Sequence, residues 1–186
     1  VLQASGLDYV IKLRNWDYGY NRALNKKNHG IFCTTYTESR APQFKWVGPL
    51  ANNLWTIFAP AGTNLQIDDL EDTRGLLYAG YRGDVMTESL LERGYKVWEM
   101  ESDDLNPKRL ELGQVDLWIA DQLAGPYFAS QQDVEGLVPV YSFNKTELYL
   151  AMNMETPDEV IQKLNQGLET IKNNGIYEAI ETKYGL

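Results

Sequence analysis

Residues Thr35-Tyr36-Thr37-Glu38-Ser39-Arg40 run directly into Ala41-Pro42-Gln43 and then Phe44-Lys45-Trp46-Val47-Gly48-Pro49-Leu50. The stretch follows a short apolar run, Ile31-Phe32-Cys33, so it sets hydroxyls and one guanidinium just past a strand-like segment. An arginine fork can take both oxygens of a carboxylate, and nearby hydroxyls can complete the shell. The stretch reads equally as an ordinary surface arginine beside two turn threonines. Its neighbours decide how much weight the first reading carries.

Working outward, short apolar runs alternate with helical stretches. Strand signals fall at Tyr9–Leu13, Gly30–Thr34, Leu54–Ala59, Leu76–Tyr78, Lys96–Met100, Val115–Ala120, Val138–Phe143 and Leu148–Met152. Between them, Tyr18–Lys27, Asp84–Arg93, Leu105–Leu112 and Gln122–Gln131 read as helices, and Ile67–Leu70 as a helical turn. Thr156-Pro157-Asp158-Glu159 has the form of a capping box with proline at the first helical position. Val160, Ile161, Leu164, Leu168 and Ile171 then keep helical spacing on one face, which is core packing. Asn174-Gly175 breaks that helix, and Ile176–Tyr184 forms another, capped by Gly185. The alternation predicts an α/β fold with a mostly parallel sheet covered by helices.

The 186 residues carry 17 basic and 26 acidic side chains, a formal charge of -9. That balance repels phosphate backbones and excludes nucleic acid as an expected partner. No apolar run approaches the roughly 20 residues of a membrane helix. Cys33 is the single cysteine and His29 the single histidine, so neither an internal disulfide nor a Cys/His metal site is expected. Cys33 reads as a small core residue and His29 as a turn residue. No cofactor is expected. Val1-Leu2-Gln3-Ala4-Ser5-Gly6 reads as the last turn of a helix with its glycine cap, and Val1 stands where no initiator methionine is seen. Both features suggest a processed or trimmed chain lacking an earlier piece of its fold.

Two further constellations lie at strand ends, where open α/β sheets bind ligands. Gly80-Tyr81-Arg82-Gly83-Asp84 joins a strand to a helix. Its glycines let backbone N–H groups approach an anion, though the same pattern makes a tight turn. Asp121 directly follows Val115–Ala120; it can pair with an ammonium or cap the next helix. Arg40 and the glycine turn for a carboxylate, with Asp121 for an ammonium, describe a site for an α-amino acid. The acidic run Glu99–Asp104 could bind a cation but reads rather as a solvated loop face with a helix cap. Asp103, Asp104 and Asp121 are the available acid–base groups. No Ser-His pair, Cys-His pair or metal set accompanies them, so no enzymatic activity is expected.

The order of these motifs resembles the amino-acid type (family 3) of bacterial extracellular solute-binding proteins, the binding components of ABC importers. Arg22-Ala23-Leu24, Ile31-Phe32, Thr37–Arg40 and Phe44–Pro49 are similar to that family's first-lobe pattern. Trp16 also fits, although Asp17–Asn21 is inserted before Arg22. Gly80–Gly83, Gly113-Gln114-Val115-Asp116 and Ile119-Ala120-Asp121 resemble second-lobe motifs, and Gly175-Ile176-Tyr177 … Lys183-Tyr184-Gly185 the ending.

The resemblance implies two α/β lobes with central mixed sheets, joined by two crossover strands near Leu54–Ala59 and Tyr141–Thr146. Lobe one would span 1–56 and 146–186, and lobe two 57–145. It implies that Arg40 holds a ligand carboxylate and Asp121 its ammonium. Thr35 and the backbone at Cys33 would lie beside the ligand, with Gly80, Tyr81 and Arg82 opposite. Tyr18, Tyr20 and Trp55 are further candidates for the pocket wall, and each reads equally as a core or surface residue. It implies a periplasmic location, and ABC-importer membrane subunits or a sensor protein as partners. The family's first strand and most of its first helix have no counterpart here. That departure implies possible self-association through the incomplete lobe.

Overall fold

Two strands of 16 residues organise the chain, β2 (Phe44–Ala59) and β6 (Val138–Asn153), alongside the shorter β1 (Gly30–Thr35), β3 (Leu77–Tyr81), β4 (Lys96–Met100) and β5 (Leu117–Asp121). The structure is a computed structural model that describes residues 1–184. It divides into two compact units, Val1–Asn52 with Glu147–Leu186, and Asn53–Thr146. The division falls inside both long strands, so each contributes residues to each unit. The hydrogen-bonded strand order is β1-β6-β2-β5-β3-β4.

In the first unit β1 lies antiparallel to the end of β6, from Gly30 opposite Met152 to Thr35 opposite Leu148. The register slips between Phe32 and Thr34, which makes Cys33 the extra residue of a bulge. The slip breaks the in–out alternation: Phe32 and Cys33 are both exposed, while Thr34 and Thr35 are both buried. Helix α1 (Trp16–Asn25) begins where the Asn15 Oδ1 accepts the Tyr18 N–H at 3.1 Å. Its far end is tied to β6, because Asn153 Nδ2 donates to the carbonyls of Ala23 and Leu24, each at 2.8 Å. Helices α5 (Asp158–Asn173) and α6 (Ile176–Tyr184) complete the unit. Val160, Ile161 and Leu164 of α5 pack on Val47, Leu150 and Met152, which is where the helical stripe goes.

In the second unit β3 pairs in parallel with both β4 and β5, and β5 pairs antiparallel with Trp55–Phe58 of β2. Helix α2 (Val85–Glu92) connects β3 to β4, α3 (Asn106–Glu111) connects β4 to β5, and α4 (Ala124–Gln131) leads from β5 to β6. Successive residues of β5 enter different cores. Leu117 and Ile119 join Trp55, Ile57, Tyr78 and Leu90, whereas Trp118 and Ala120 join Phe58, Leu110 and Val115. A sheet covered on both faces needs a continuous apolar run, and Leu117-Trp118-Ile119-Ala120 is one.

Several expectations are corrected. The sheet is mixed, as the resemblance implies and unlike the mostly parallel sheet that the alternation alone predicts, because β6 runs antiparallel to β1 and β2 antiparallel to β5. Val138–Phe143 and Leu148–Met152 are one strand; the intervening Asn144 takes a left-handed φ of 53° and the strand continues through it. Tyr9–Leu13 enters neither helix nor sheet. Gln122 precedes its helix, and the turn expected at Ile67–Leu70 forms instead at Leu70–Thr73. The capping box at Thr156 does not form: Pro157 occupies the cap position, and the buried Thr156 Oγ1 has no hydrogen-bond partner among the described residues. Cys33 is exposed rather than core. The Gly185 cap lies outside the described residues.

Candidate functional site

In the first unit the site is built where β1 ends. Thr35 is buried at the last position of the strand. The chain then turns through Thr37, whose carbonyl accepts the N–H groups of Arg40 (3.1 Å) and Ala41 (2.8 Å). Thr37 Oγ1 also accepts the Arg40 N–H at 3.2 Å. A one-turn 3₁₀ helix, Ala41–Gln43, follows and leads into β2.

These bonds fix the Arg40 backbone, and aromatic rings fix its head. The guanidinium carbon lies 5.4 Å from the Trp16 ring centre and 5.5 Å from that of Tyr20. Both are within cation–π range. Only 8% of Arg40 is exposed. The rings belong to a chain of contacts: Trp16 to Tyr20 at 5.6 Å, Tyr20 to Phe44 at 5.2 Å and Phe44 to Trp46 at 5.7 Å. Helix α1 therefore carries two aromatic residues, one turn apart, against an arginine at the end of β1. Spacing alone could place Trp16 and Tyr20 on one helix face, but it could not say that Arg40 lies there.

The Cys33 bulge sits two residues before Thr35. A bulge interrupts the alternation of the strand that carries it, and the two residues after this one, Thr34 and Thr35, are both buried. Cys33 and Thr35 lie on β1, and Arg40 caps the 3₁₀ turn that follows it. Tyr18 lies elsewhere, half-exposed, with Arg22 over its ring at 5.9 Å.

In the second unit the carboxyl ends of three parallel strands stand side by side. Tyr81 pairs with Met100 across β3 and β4, and Ala79 with Trp118 across β3 and β5. Gly80–Arg82, Glu101–Asp104 and Asp121 therefore share one edge of the sheet. Asp121 Oδ1 accepts the N–H groups of Leu123 (2.8 Å) and Ala124 (3.0 Å). Both bonds fall on one oxygen, so the carboxylate is oriented while Oδ2 is left outside this pair of bonds.

The Gly80–Asp84 segment is closed on itself. The Arg82 N–H donates to the Met100 carbonyl at 2.9 Å, and the Asp84 N–H to that of Tyr81 at 3.1 Å. Asp84 Oδ1 caps α2 by accepting the Met86 N–H at 2.7 Å. Gly80 is glycine for packing, since a Cβ there would meet Thr87 Oγ1 at 2.4 Å. Gly83 turns the chain with a φ of 74°. Arg82 is half-exposed and ion-paired with Glu101.

Two features escaped the sequence reading. The acidic loop is not simply solvated: Asp103 Oδ1 accepts both the Trp118 indole N–H (2.8 Å) and an Asn106 amide N–H (2.6 Å). Burial pushes its carboxyl from the ordinary 3.8 up to about 7, and the nearby Asp84 and Asp104 push the same way against those two hydrogen bonds. The only advance signal was a tryptophan in a strand beside an acidic loop. Second, Trp55 is core rather than an open wall residue. It faces Phe143 at 5.8 Å, and its Nε1 has no hydrogen-bond partner among the described residues.

No family model matches the chain, and no curated protein matches it. Many solved structures do. A histidine kinase sensor domain described as similar to periplasmic binding proteins is 24% identical, with a TM-score of 0.86 over 98% of this chain and 81% of that one. The arginine-, lysine-, histidine-binding protein ArtJ from Geobacillus stearothermophilus is 19% identical, with a TM-score of 0.84 over 98% and 80%. The GluR0 ligand-binding core from Nostoc punctiforme, solved with L-glutamate, is 20% identical, with a TM-score of 0.84 over 98% and 85%. The fold is therefore that of the periplasmic binding proteins: two α/β lobes with mixed sheet, joined by the crossover strands β2 and β6.

Proposed function

We propose that this chain binds a small zwitterionic solute, an α-amino acid, and delivers it to an ABC importer from a periplasmic location. The observation that carries the reading is Arg40. A buried guanidinium is costly to desolvate, and this one is held by two aromatic faces at a strand end. An arginine so oriented suits the two oxygens of a carboxylate. Asp121, steered by two backbone N–H groups, suits the ammonium. Thr35 and the backbone at Cys33 line the carboxylate side. The amino acids named for the ArtJ and GluR0 structures support the ligand class. The acid–base groups Asp103, Asp104 and Asp121 are read here as structural or binding groups.

Titration calorimetry of the full-length protein against a panel of amino acids tests the proposal. Binding of at least one member is expected, and no heat with any member overturns it. A second reading has one specific observation in its favour, the similarity to a histidine kinase sensor domain. In that reading the same site reports ligand to a signalling partner. Importer subunits encoded beside the gene favour delivery, and a kinase or cyclase favours sensing.

A further inference from the structure

Gln43 ends the 3₁₀ turn that Arg40 caps, and its side-chain amide makes two hydrogen bonds of opposite sense. Its Nε2 donates to the Ser39 carbonyl at 2.8 Å, and its Oε1 accepts the Tyr20 hydroxyl at 3.1 Å. A carbonyl oxygen only accepts, so the first bond fixes which amide atom faces Ser39 and leaves the oxygen for Tyr20. The main chain of the turn closes as well, where the Gln43 N–H donates to the Arg40 carbonyl at 2.9 Å. The bond to Tyr20 therefore ties this turn to α1. Tyr20 is also one of the two rings against Arg40, its centre 5.5 Å from the guanidinium carbon. The same ring stands nearly perpendicular to that of Phe44 at 5.2 Å, and Phe44 directly follows Gln43. A ring that faces the guanidinium is thus held by packing and, through its hydroxyl, by an amide on the arginine's own turn.

From this we infer that Gln43 is a positioning residue for the solute carboxylate: it fixes the Tyr20 ring against Arg40 and so keeps the guanidinium fork in one orientation. The inference rests on the proposed amino-acid site. Gln43 is exposed, and α1 has a separate anchor in Asn153 at its far end, so the fold does not depend on the amide. Its leverage is on orientation. A guanidinium takes both oxygens of a carboxylate only when two parallel N–H groups point at them, and a tilt of the plane breaks one of those bonds. A fork already in place spares the ligand the ordering of that side chain on binding. An ammonium has no plane to tilt, so the effect of Gln43 belongs to arginine at position 40.

Titration calorimetry of the full chain against the standard L-amino acids tests it, with the tightest binder of the parent protein as the probe. Gln43→Leu removes both amide bonds, and Tyr20→Phe removes the hydroxyl while keeping the ring. Circular dichroism confirms that each variant keeps its fold. Each single variant is expected to weaken binding about threefold to tenfold. The double variant binds as Gln43→Leu does, because both changes break one link. In an Arg40→Lys protein, Gln43→Leu changes affinity by less than about twofold. A merely structural contribution would move affinity equally with either residue at position 40. Unchanged affinity in either single variant overturns the inference. So do additive losses in the double variant, or an undiminished loss in the Arg40→Lys protein. A parent protein that binds no amino acid is a different result: it overturns the amino-acid reading itself, and this inference with it.

Discussion

Arg40 and Arg82 both follow strands, and the two arginines have opposite fates. Arg40 is buried, its backbone is held by Thr37, and its head lies against Trp16 and Tyr20. Arg82 is half-exposed and shares its charge with Glu101 on the loop after β4. Water around an exposed pair screens it and leaves both side chains mobile, so it contributes little. A guanidinium against aromatic faces keeps one orientation, which a ligand carboxylate can use without ordering it anew. The difference between them lies in what surrounds the charge, not in the residue type.

The comparison breaks first on the variant Arg40→Ala. Loss of a buried, charge-assisted partner lowers amino-acid affinity by about a hundredfold or more, read by calorimetry. Arg40→Lys recovers only part of that, because an ammonium cannot present the planar fork. Retained affinity in Arg40→Ala would place the site elsewhere. Trp16→Ala removes one wall, and about a tenfold loss is expected, with Trp16→Phe closer to the parent protein.

Asp103, on the same edge as Arg82, gives a smaller effect that depends on pH. Its folded carboxyl titrates near 7, above the ordinary 3.8, because burial favours the neutral form. The raised value means that its stabilising contribution is complete below about pH 4. That contribution is lost progressively as pH rises to about 7. Asp103→Asn stays neutral and keeps an oxygen for Trp118 and Asn106. Thermal melts should therefore show the variant gaining stability on the parent protein at pH 8, with the gain shrinking toward pH 4. An equal difference at both pH values would contradict the assignment. The smallest effect is expected from Arg82→Ala, under about 1 kcal/mol in denaturant melts. A large loss there would erase the contrast with Arg40.

Legibility followed the range of the forces involved. Local signals were readable: Asn174-Gly175 separates α5 from α6, and Leu117–Ala120 shows itself as a strand buried on both faces. The Thr156 capping box was a local signal that failed. Thr156 is wholly buried, and its carbonyl accepts the Lys45 ammonium at 2.8 Å, so tertiary contacts hold the residue and the helix starts from Pro157. Thr156→Val removes a buried hydroxyl without a partner among the described residues. It should be neutral or mildly stabilising, whereas a true cap would cost about 1 kcal/mol. The bulge at Cys33 was unreadable because register exists only between β1 and β6.

The sequence by itself determined the alternation of strands and helices, the single cysteine and single histidine, and the presence of arginine and aspartate at strand ends. These follow from residue type and spacing along the chain. The tertiary structure decided that β2 and β6 run on through apparent breaks, that a bulge interrupts β1 at Cys33, and that Arg40 rather than Arg82 is buried against aromatic rings. Burial and register are properties of two surfaces meeting, and a linear pattern carries only one of them.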